Sequence, residues 1–299
     1  MDRIIFKEEI SLSEFSATAN IPELKTADSI QQFCEKYGDD PEDIRHYDVY
    51  LVSAAGKKCV LKKTNERGIY NYTQYLAGKP FSVPKLIDTY EVKWEHWLLT
   101  EYVQGEDIRR ASDELIDSCA ESLAAIQNYY WESTSSEFRE DDRFEVYRKR
   151  ILRRATYFEK NEVLKRAYAL FMERQETCPK TLSHGDFALF NIIDCHGKPV
   201  IIDWDFGGCM PYSLDIARFV AHADENGGPF GMYMTERQKK RFIDGVYRQL
   251  ISKPAQEQYL RDIKLAVLNE YLEFLEADED EDGWYYQHAL PLAEELLTM

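Results

Sequence analysis

The sequence predicts a two-lobed α+β protein, with a strand-rich N-terminal lobe over residues 1–103 and a larger, mainly helical C-terminal lobe over residues 104–299. Three observations carry this. Alternating and apolar runs separated by turn residues dominate the first hundred residues. From Asp113 onward, apolar residues recur at helical spacing. Between the two regimes lies the short polar segment Gln104-Gly105-Glu106-Asp107, and elsewhere no repeat or low-complexity linker interrupts the chain except the acidic stretch Glu276–Asp282.

In chain order, Asp28 is placed to cap a helix over Ser29–Tyr37 that Gly38 would stop. After the acidic turn Asp39–Asp43, Tyr47–Val52 reads as a strand, Ala54–Lys57 as a turn and Cys59–Lys62 as the partner strand. A helix follows over Ile69–Leu76, closed by Gly78 and Pro80, and then two more strands, Val83–Ile87 and His96–Val103. In the second lobe Leu115, Ile116, Cys119, Leu123 and Ile126 share one helical face. Phe144–Lys160, Val163–Glu173, Arg237–Ile251 and Gln256–Glu276 read as further helices.

Composition narrows the function. The chain of 299 residues carries 37 basic and 54 acidic residues, a net charge of −17, which argues against nucleic acid or an anionic membrane as the main partner. Hydrophobic residues at 44% and aromatics at 13% supply a substantial core, so the acidity belongs to the surface of a folded protein. Six scattered cysteines with no Cys-x-x-Cys pair argue against a disulfide framework or zinc ribbon. The acidic start and the lack of any apolar run near membrane-spanning length point to a cytoplasmic protein. A monomer or weak dimer is the expected state.

The most informative stretch is Leu182-Ser183-His184-Gly185-Asp186-Phe187-Ala188-Leu189-Phe190-Asn191, continuing through the turn Asp194–Lys198 into Pro199-Val200-Ile201-Ile202-Asp203-Trp204-Asp205. Two apolar strands flank a polar turn. This predicts a β-hairpin with Asp186 and Asn191 on the entering loop and Asp203 at the exit, three oxygen donors brought to one end. Phosphoryl transfer needs such a set: a carboxylate to orient an attacking hydroxyl, and hard oxygen ligands to hold Mg²⁺ against nucleotide phosphates.

The ordered set His184-Gly185-Asp186, Asn191, Ile202-Asp203-Trp204-Asp205 and Leu214-Asp215-Ile216-Ala217 resembles the aminoglycoside phosphotransferase and choline kinase-like family, whose fold is akin to that of protein kinases. The His-Gly-Asp form leans toward the aminoglycoside branch. The resemblance is traceable from about Tyr47 to Val220. It implies a bilobal, protein kinase-like fold and transfer of the γ-phosphoryl group of ATP or GTP to a hydroxyl of a small molecule. Asp186 would orient the hydroxyl, and Asn191 and Asp203 would bind Mg²⁺. Val60-Leu61-Lys62 looks like the strand lysine that holds the phosphates; Lys62 is taken over Lys63 because it closes the apolar run and adjacent strand residues face opposite sides. Glu101 to Val103 looks like the hinge that meets the base.

The sequence departs from the pattern in two places. No Gly-x-Gly-x-x-Gly precedes the second strand, so other backbone amides or Arg45 would cover the phosphates; and the nearest candidate partner for Lys62 is Glu66. His184 is read as a histidine that binds the loop backbone, and Asp215 as a carboxylate that tethers the loop at a helix start. Asp205 could serve a second metal or the substrate. The last 47 residues hold 12 acidic and 3 basic residues. With this fold's acceptor site near the C-terminal helices, Glu270, Glu273 and Trp284 would suit a cationic acceptor, aminoglycoside- or choline-like. Two other readings stand beside this one: a nucleotide-binding regulatory pseudokinase on the same fold, and a metal-dependent hydrolase using the same three oxygen donors.

Overall fold

The structure, a computed structural model, describes residues 3–13, 15, 21–37, 44–277 and 283–299. The stop at Gly38, the turn Asp39–Asp43 and the acidic run Asp278–Asp282 lie outside these residues. The chain divides into two compact units, Met1–Glu106 with Val200–Phe206, and Asp107–Pro199 with Gly207–Met299. As the sequence predicts, the N-terminal region is built on an antiparallel sheet and the C-terminal part is mainly helical.

The first unit is a six-stranded sheet in the order β1-β2-β3-β4-β6-β5. Its strands are β1 (Arg3–Glu9), β2 (Ser29–Tyr37), β3 (Ile44–Ala54), β4 (Lys57–Thr64), β5 (Leu86–Val92) and β6 (Glu95–Glu101), all antiparallel to their neighbours. Ala55 (φ 49°) and Gly56 (φ 76°) form the two-residue link between β3 and β4, both in the left-handed region that suits the right-handed twist of a hairpin. One face of the sheet buries Ile30, Val52, Leu61 and Leu99 against Ile21 and Leu24. Helix α1 (Glu66–Tyr70), which continues as a π-helical turn over Asn71–Leu76, crosses between β4 and β5.

Two expectations are corrected. Ser29–Tyr37 is a strand, not a helix. Ile30 and Cys34 are both buried, and the i, i+4 spacing that joins them is shared by one face of a helix and one face of a strand, so the apolar pattern alone does not separate the two. Asp28 caps no helix: its carboxylate accepts the Ala55 N–H at 2.8 Å. The strand expected at Val83–Ile87 begins only at Leu86 and runs to Val92. Pro84 has no N–H to give to a ladder, so pairing starts beyond it.

In the second unit, α2 (Asp113–Tyr130) buries all five residues of its predicted face. The helices α3 (Arg143–Tyr157), α4 (Glu162–Thr177), α5 (Ser213–Ala221), α6 (Glu236–Gln249), α7 (Gln256–Glu276) and α8 (Trp284–Thr298) follow. Helix α7 packs against α4, α5 and α8 around Tyr168, Phe171, Leu268, Leu272, Tyr285 and Ala289. The strand β7 (Lys180–Ser183) pairs with β10 (Gly208–Pro211). Between them in the chain come β8 (Ile192–Cys195) and β9 (Lys198–Ile201), turned at His196 (φ 55°) and Gly197 (φ 84°), and from Val200 the chain belongs to the first unit.

The seam between α3 and α7 is ionic. Arg154, with 2% of its side chain exposed, donates to Asn269 at 2.6 Å, Glu276 at 2.8 Å and Glu273 at 2.8 Å. Arg154→Ala removes the cation from the buried Asn269 and from two half-buried carboxylates that keep Arg150 and Arg153. Leaving a buried acceptor unsatisfied costs about 1–3 kcal/mol. A matching fall in the urea midpoint at unchanged slope is the expected result; an unchanged midpoint would show that the carboxylates are solvated without it.

Candidate active site

In the first unit the site forms around Lys62. Because Leu61 lies in the core, alternation puts Lys62 on the opposite face, where its cross-strand neighbours are Val49 and Leu98. Its ammonium donates to Asp203 Oδ1 at 2.6 Å and to Asp205 Oδ2 at 2.8 Å. Burial works to lower the lysine's pKa, but the two carboxylates outweigh it and the net direction is upward, so the amine stays charged. Lys63, on the other face, donates to Glu95 at 2.6 Å.

The segment that carries the two aspartates is tied down along its length. Ile201 N–H donates to Ser82 O at 2.8 Å, Asn71 Nδ2 donates to Trp204 O at 2.7 Å, and Thr64 Oγ1 donates to Asp205 Oδ1 at 2.6 Å. Asp203 itself sits in the left-handed region at φ 65°, an unfavourable conformation that Asp tolerates better than most residues and that clusters at functional sites. Its side chain remains 41% exposed, so a ligand can reach the carboxylate beside Lys62.

The partner of Lys62 is therefore this pair of aspartates. Glu66, the candidate from the sequence, lies exposed in the first turn of α1. Arg45 is exposed on β3 with its guanidinium 4.9 Å from the centre of the Tyr47 ring. Glu101 closes β6, giving its N–H to Lys85 O at 3.0 Å and accepting Lys85 N–H at 3.2 Å. Tyr102 N–H reaches Lys58 O at 3.4 Å, while among the described residues the Val103 N–H finds no acceptor.

Gly68 is the close point of this half. A Cβ there would stand 2.1 Å from Thr64 Oγ1 and 2.5 Å from Asp205 Oδ1. Gly68→Ala must push both aside and break the Thr64–Asp205 bond, an overpacking that costs about 1–3 kcal/mol. Differential scanning calorimetry should show the lower melting temperature. A variant as stable as the parent would mean that α1 shifts freely over the segment.

In the second unit, Asp186 is gripped on both oxygens. Arg218 Nε donates to Oδ1 at 2.7 Å, and Asn191 Nδ2 donates to Oδ2 at 2.9 Å and to the Asp186 carbonyl at 2.9 Å. Because Asn191 commits its amide hydrogens to Asp186, its Oδ1 is the atom left to a ligand. The loop is held from behind by Asp215, which accepts from Ser183 Oγ at 2.7 Å, His184 N–H at 2.7 Å and Gly185 N–H at 3.1 Å. His184 Nδ1 in turn accepts the Asp186 N–H at 3.2 Å. Both residues thus take the structural roles read from the sequence. Burial raises the Asp215 pKa against these hydrogen bonds.

Sequence reasoning missed Arg218. Its Nη1 donates to Glu270 Oε2 at 3.0 Å, and His222 Nε2 lies 3.1 Å from the same oxygen, while His222 Nδ1 lies 3.1 Å from Tyr285 Oη. Arg218 Nη1 also lies 2.9 Å from His222 Nε2, so no single neutral tautomer serves all three partners; with the proton on Nε2 the ring donates to Glu270 and accepts from Tyr285. Burial, then the Arg218 charge, lowers the His222 pKa and keeps the ring neutral. Burial would raise the Glu270 pKa, but Arg218 and the His222 hydrogen bond reverse it and hold the carboxylate ionised. The signal was present in the sequence: Arg218 stands three residues after Asp215 and His222 four after Arg218, so all three share one side of α5 and its end.

The C-terminal carboxylates singled out for an acceptor present no uncompensated charge. Glu270 is buried against Arg218 and His222, and Glu273 is paired with Arg150 at 2.6 Å and Arg154 at 2.8 Å. Trp284 gives its indole N–H to Asp224 at 3.1 Å and stacks on His288 with ring centres 4.0 Å apart. Among the described residues no helix is long and apolar enough to cross a membrane.

Residues 45–249, which include the Lys62 cluster and, except for Glu270, the Asp186 cluster, match the family described as the phosphotransferase enzyme family. No curated protein matches the chain. Among solved structures, the chain is similar to the amicoumacin kinase hAmiN in complex with AMP-PNP and Ca²⁺ (14% identity, TM-score 0.58, covering 87% of this chain and 90% of that one). It is also similar to an ethanolamine kinase from Plasmodium vivax (15%, 0.57, 96% and 84%) and to the choline kinase LicA from Streptococcus pneumoniae (14%, 0.55, 97% and 100%). At these identities the likenesses establish the fold, and it is the match over residues 45–249, more than half of the chain, that shows the protein to belong to the phosphotransferase enzyme family.

Proposed function

We propose that this chain transfers the γ-phosphoryl group of Mg-ATP or Mg-GTP to a hydroxyl of a small, cationic acceptor. The observation that carries the reading is the hold on Asp186: a carboxylate fixed on both oxygens, beside an asparagine whose carbonyl oxygen is left to a ligand. Such a carboxylate can align an acceptor hydroxyl and take its proton as the bond to phosphorus forms.

The donor set fits Mg²⁺, which prefers hard oxygens: Asn191 Oδ1 and the accessible Asp203 carboxylate would hold it. Bound there, the metal supplies charge neutralisation to the phosphates. Lys62, charged and already among carboxylates, would move to the phosphate oxygens when nucleotide displaces part of that pairing. The Val103 N–H, which follows β6 and meets no acceptor among the described residues, supports base recognition by backbone. Support for a cationic acceptor comes from the net charge of −17, whose field favours cations, and from the amine alcohols that name two of the similar kinases.

The test is turnover of Mg-ATP and Mg-GTP against a panel of amino alcohols, aminoglycosides and neutral sugars, with phosphoester formation followed by ³¹P NMR. A new phosphoester on an amine-bearing acceptor is the expected result. Nucleotide binding without transfer to any acceptor would replace this reading by the regulatory pseudokinase. Transfer to neutral sugars alone would remove the cationic acceptor.

A further inference from the structure

We propose that Glu8, Cys34 and His46 form a zinc site on the first unit's sheet, on the face opposite Lys62 and separate from the nucleotide chemistry. The three residues come from three adjacent strands. Cys34 on β2 is the cross-strand partner of Phe6 on β1 and of His46 on β3, and Glu8 lies two residues along β1 from Phe6, on the same face. The face is fixed by an unbroken cross-strand row, Leu61–Tyr50–Gln32–Glu8, which places Glu8 on the side of Leu61 and away from Lys62.

The ligand atoms of the three side chains lie within 4.8 Å of one another, the one such trio of His, Cys, Asp or Glu donors among the described residues. His46 Nε2 and Glu8 Oε2 are 3.3 Å apart. Two N or O ligands at about 2.0–2.1 Å from a tetrahedral zinc stand about 3.3–3.4 Å from each other, so this pair already has the required spacing. A sulfur at about 2.3 Å from the same ion stands about 3.5 Å from each of them, so Cys34 Sγ must close by little more than about 1 Å, within reach of side-chain rotation.

The donor chemistry chooses the metal. One sulfur, one imidazole and one carboxylate suit zinc, whereas Mg²⁺ and Ca²⁺ take oxygens throughout. Cys34 is fully buried while nearly half of the His46 and Glu8 side chains is exposed, so the ion enters from solvent with the thiol at the inner end. Three protein ligands leave the fourth position to water. The bound ion would pin β1 to β2 and β3.

The full chain, freed of metal with a chelator and kept reduced with a phosphine, is titrated with Zn²⁺ by calorimetry and with Co²⁺ by absorption. One equivalent of zinc, a thiolate-to-cobalt charge-transfer band and a zinc-dependent rise in melting temperature are expected. His46→Ala, at an exposed position that does not threaten folding, and Cys34→Ser should each weaken zinc binding at least about tenfold, the loss already typical of an outer-sphere partner. Cys34→Ser should also abolish the band. Failure of the parent chain to take up zinc, or unchanged affinity in either variant, overturns the site. Neither outcome bears on phosphoryl transfer.

Discussion

Asp186→Asn is expected to lower kcat by about a thousandfold while nucleotide affinity stays within a few-fold. General-base assistance from a positioned side chain is worth about 10²–10⁴ in rate. The amide keeps the volume of the carboxylate but cannot take a proton, and its NH₂ would face the Asn191 NH₂ that now donates at 2.9 Å. Of the groups proposed to bind Mg-nucleotide, Lys62, Asp203 and the backbone at Val103 belong to the other unit, and only Asn191 touches the substituted side chain. Steady-state kinetics with the acceptor found by the panel gives kcat, and calorimetry gives the nucleotide Kd. Full turnover in the variant would remove Asp186 from the chemistry. Loss of nucleotide binding together with kcat would assign it a structural role instead.

How much of this was legible depends on how local the signal was. The loop from His184 to Asn191 and its hairpin were readable because turn residues and apolar strands sit side by side in sequence, and α7 has the bounds its periodicity gave. Lys62 was chosen from Lys63 because it closes the apolar run and adjacent strand residues face opposite sides, and the structure puts the two on opposite faces with different acidic partners. What escaped was non-local. The true partners of Lys62 lie more than 140 residues away, on a segment whose place is set by Asn71 and Thr64. Strand β2 escaped for a different reason: its buried Ile30 and Cys34 stand at a spacing that suits a helix and a strand alike, and only pairing on both sides decides the matter. The C-terminal acidity was counted correctly but misread in part, because composition does not show that Arg150, Arg154 and Arg218 neutralise Glu270 and Glu273.

Arg218 is where positioning and stability meet, and the two can be separated. Arg218→Met should cost about 3–5 kcal/mol, because it leaves Glu270 ionised in a buried place with only the His222 hydrogen bond. It should also lower kcat about a hundredfold, since Asp186 loses the hold on Oδ1 and a misplacement near 1 Å is worth that much. A purely structural role predicts that whatever restores stability restores rate. The double variant Arg218→Met/Glu270→Gln removes both charges, so most of the lost stability should return, because the penalty lay in the unpaired carboxylate rather than in a missing attraction. The rate should not return, as nothing in that variant reaches Asp186 Oδ1. Denaturant midpoints and kcat measured on the parent, both single variants and the double variant decide the case. Recovery of kcat along with stability would show that Arg218 acts only by holding α5 to α7, and Asp186 would then be positioned by Asn191 and His184 without it.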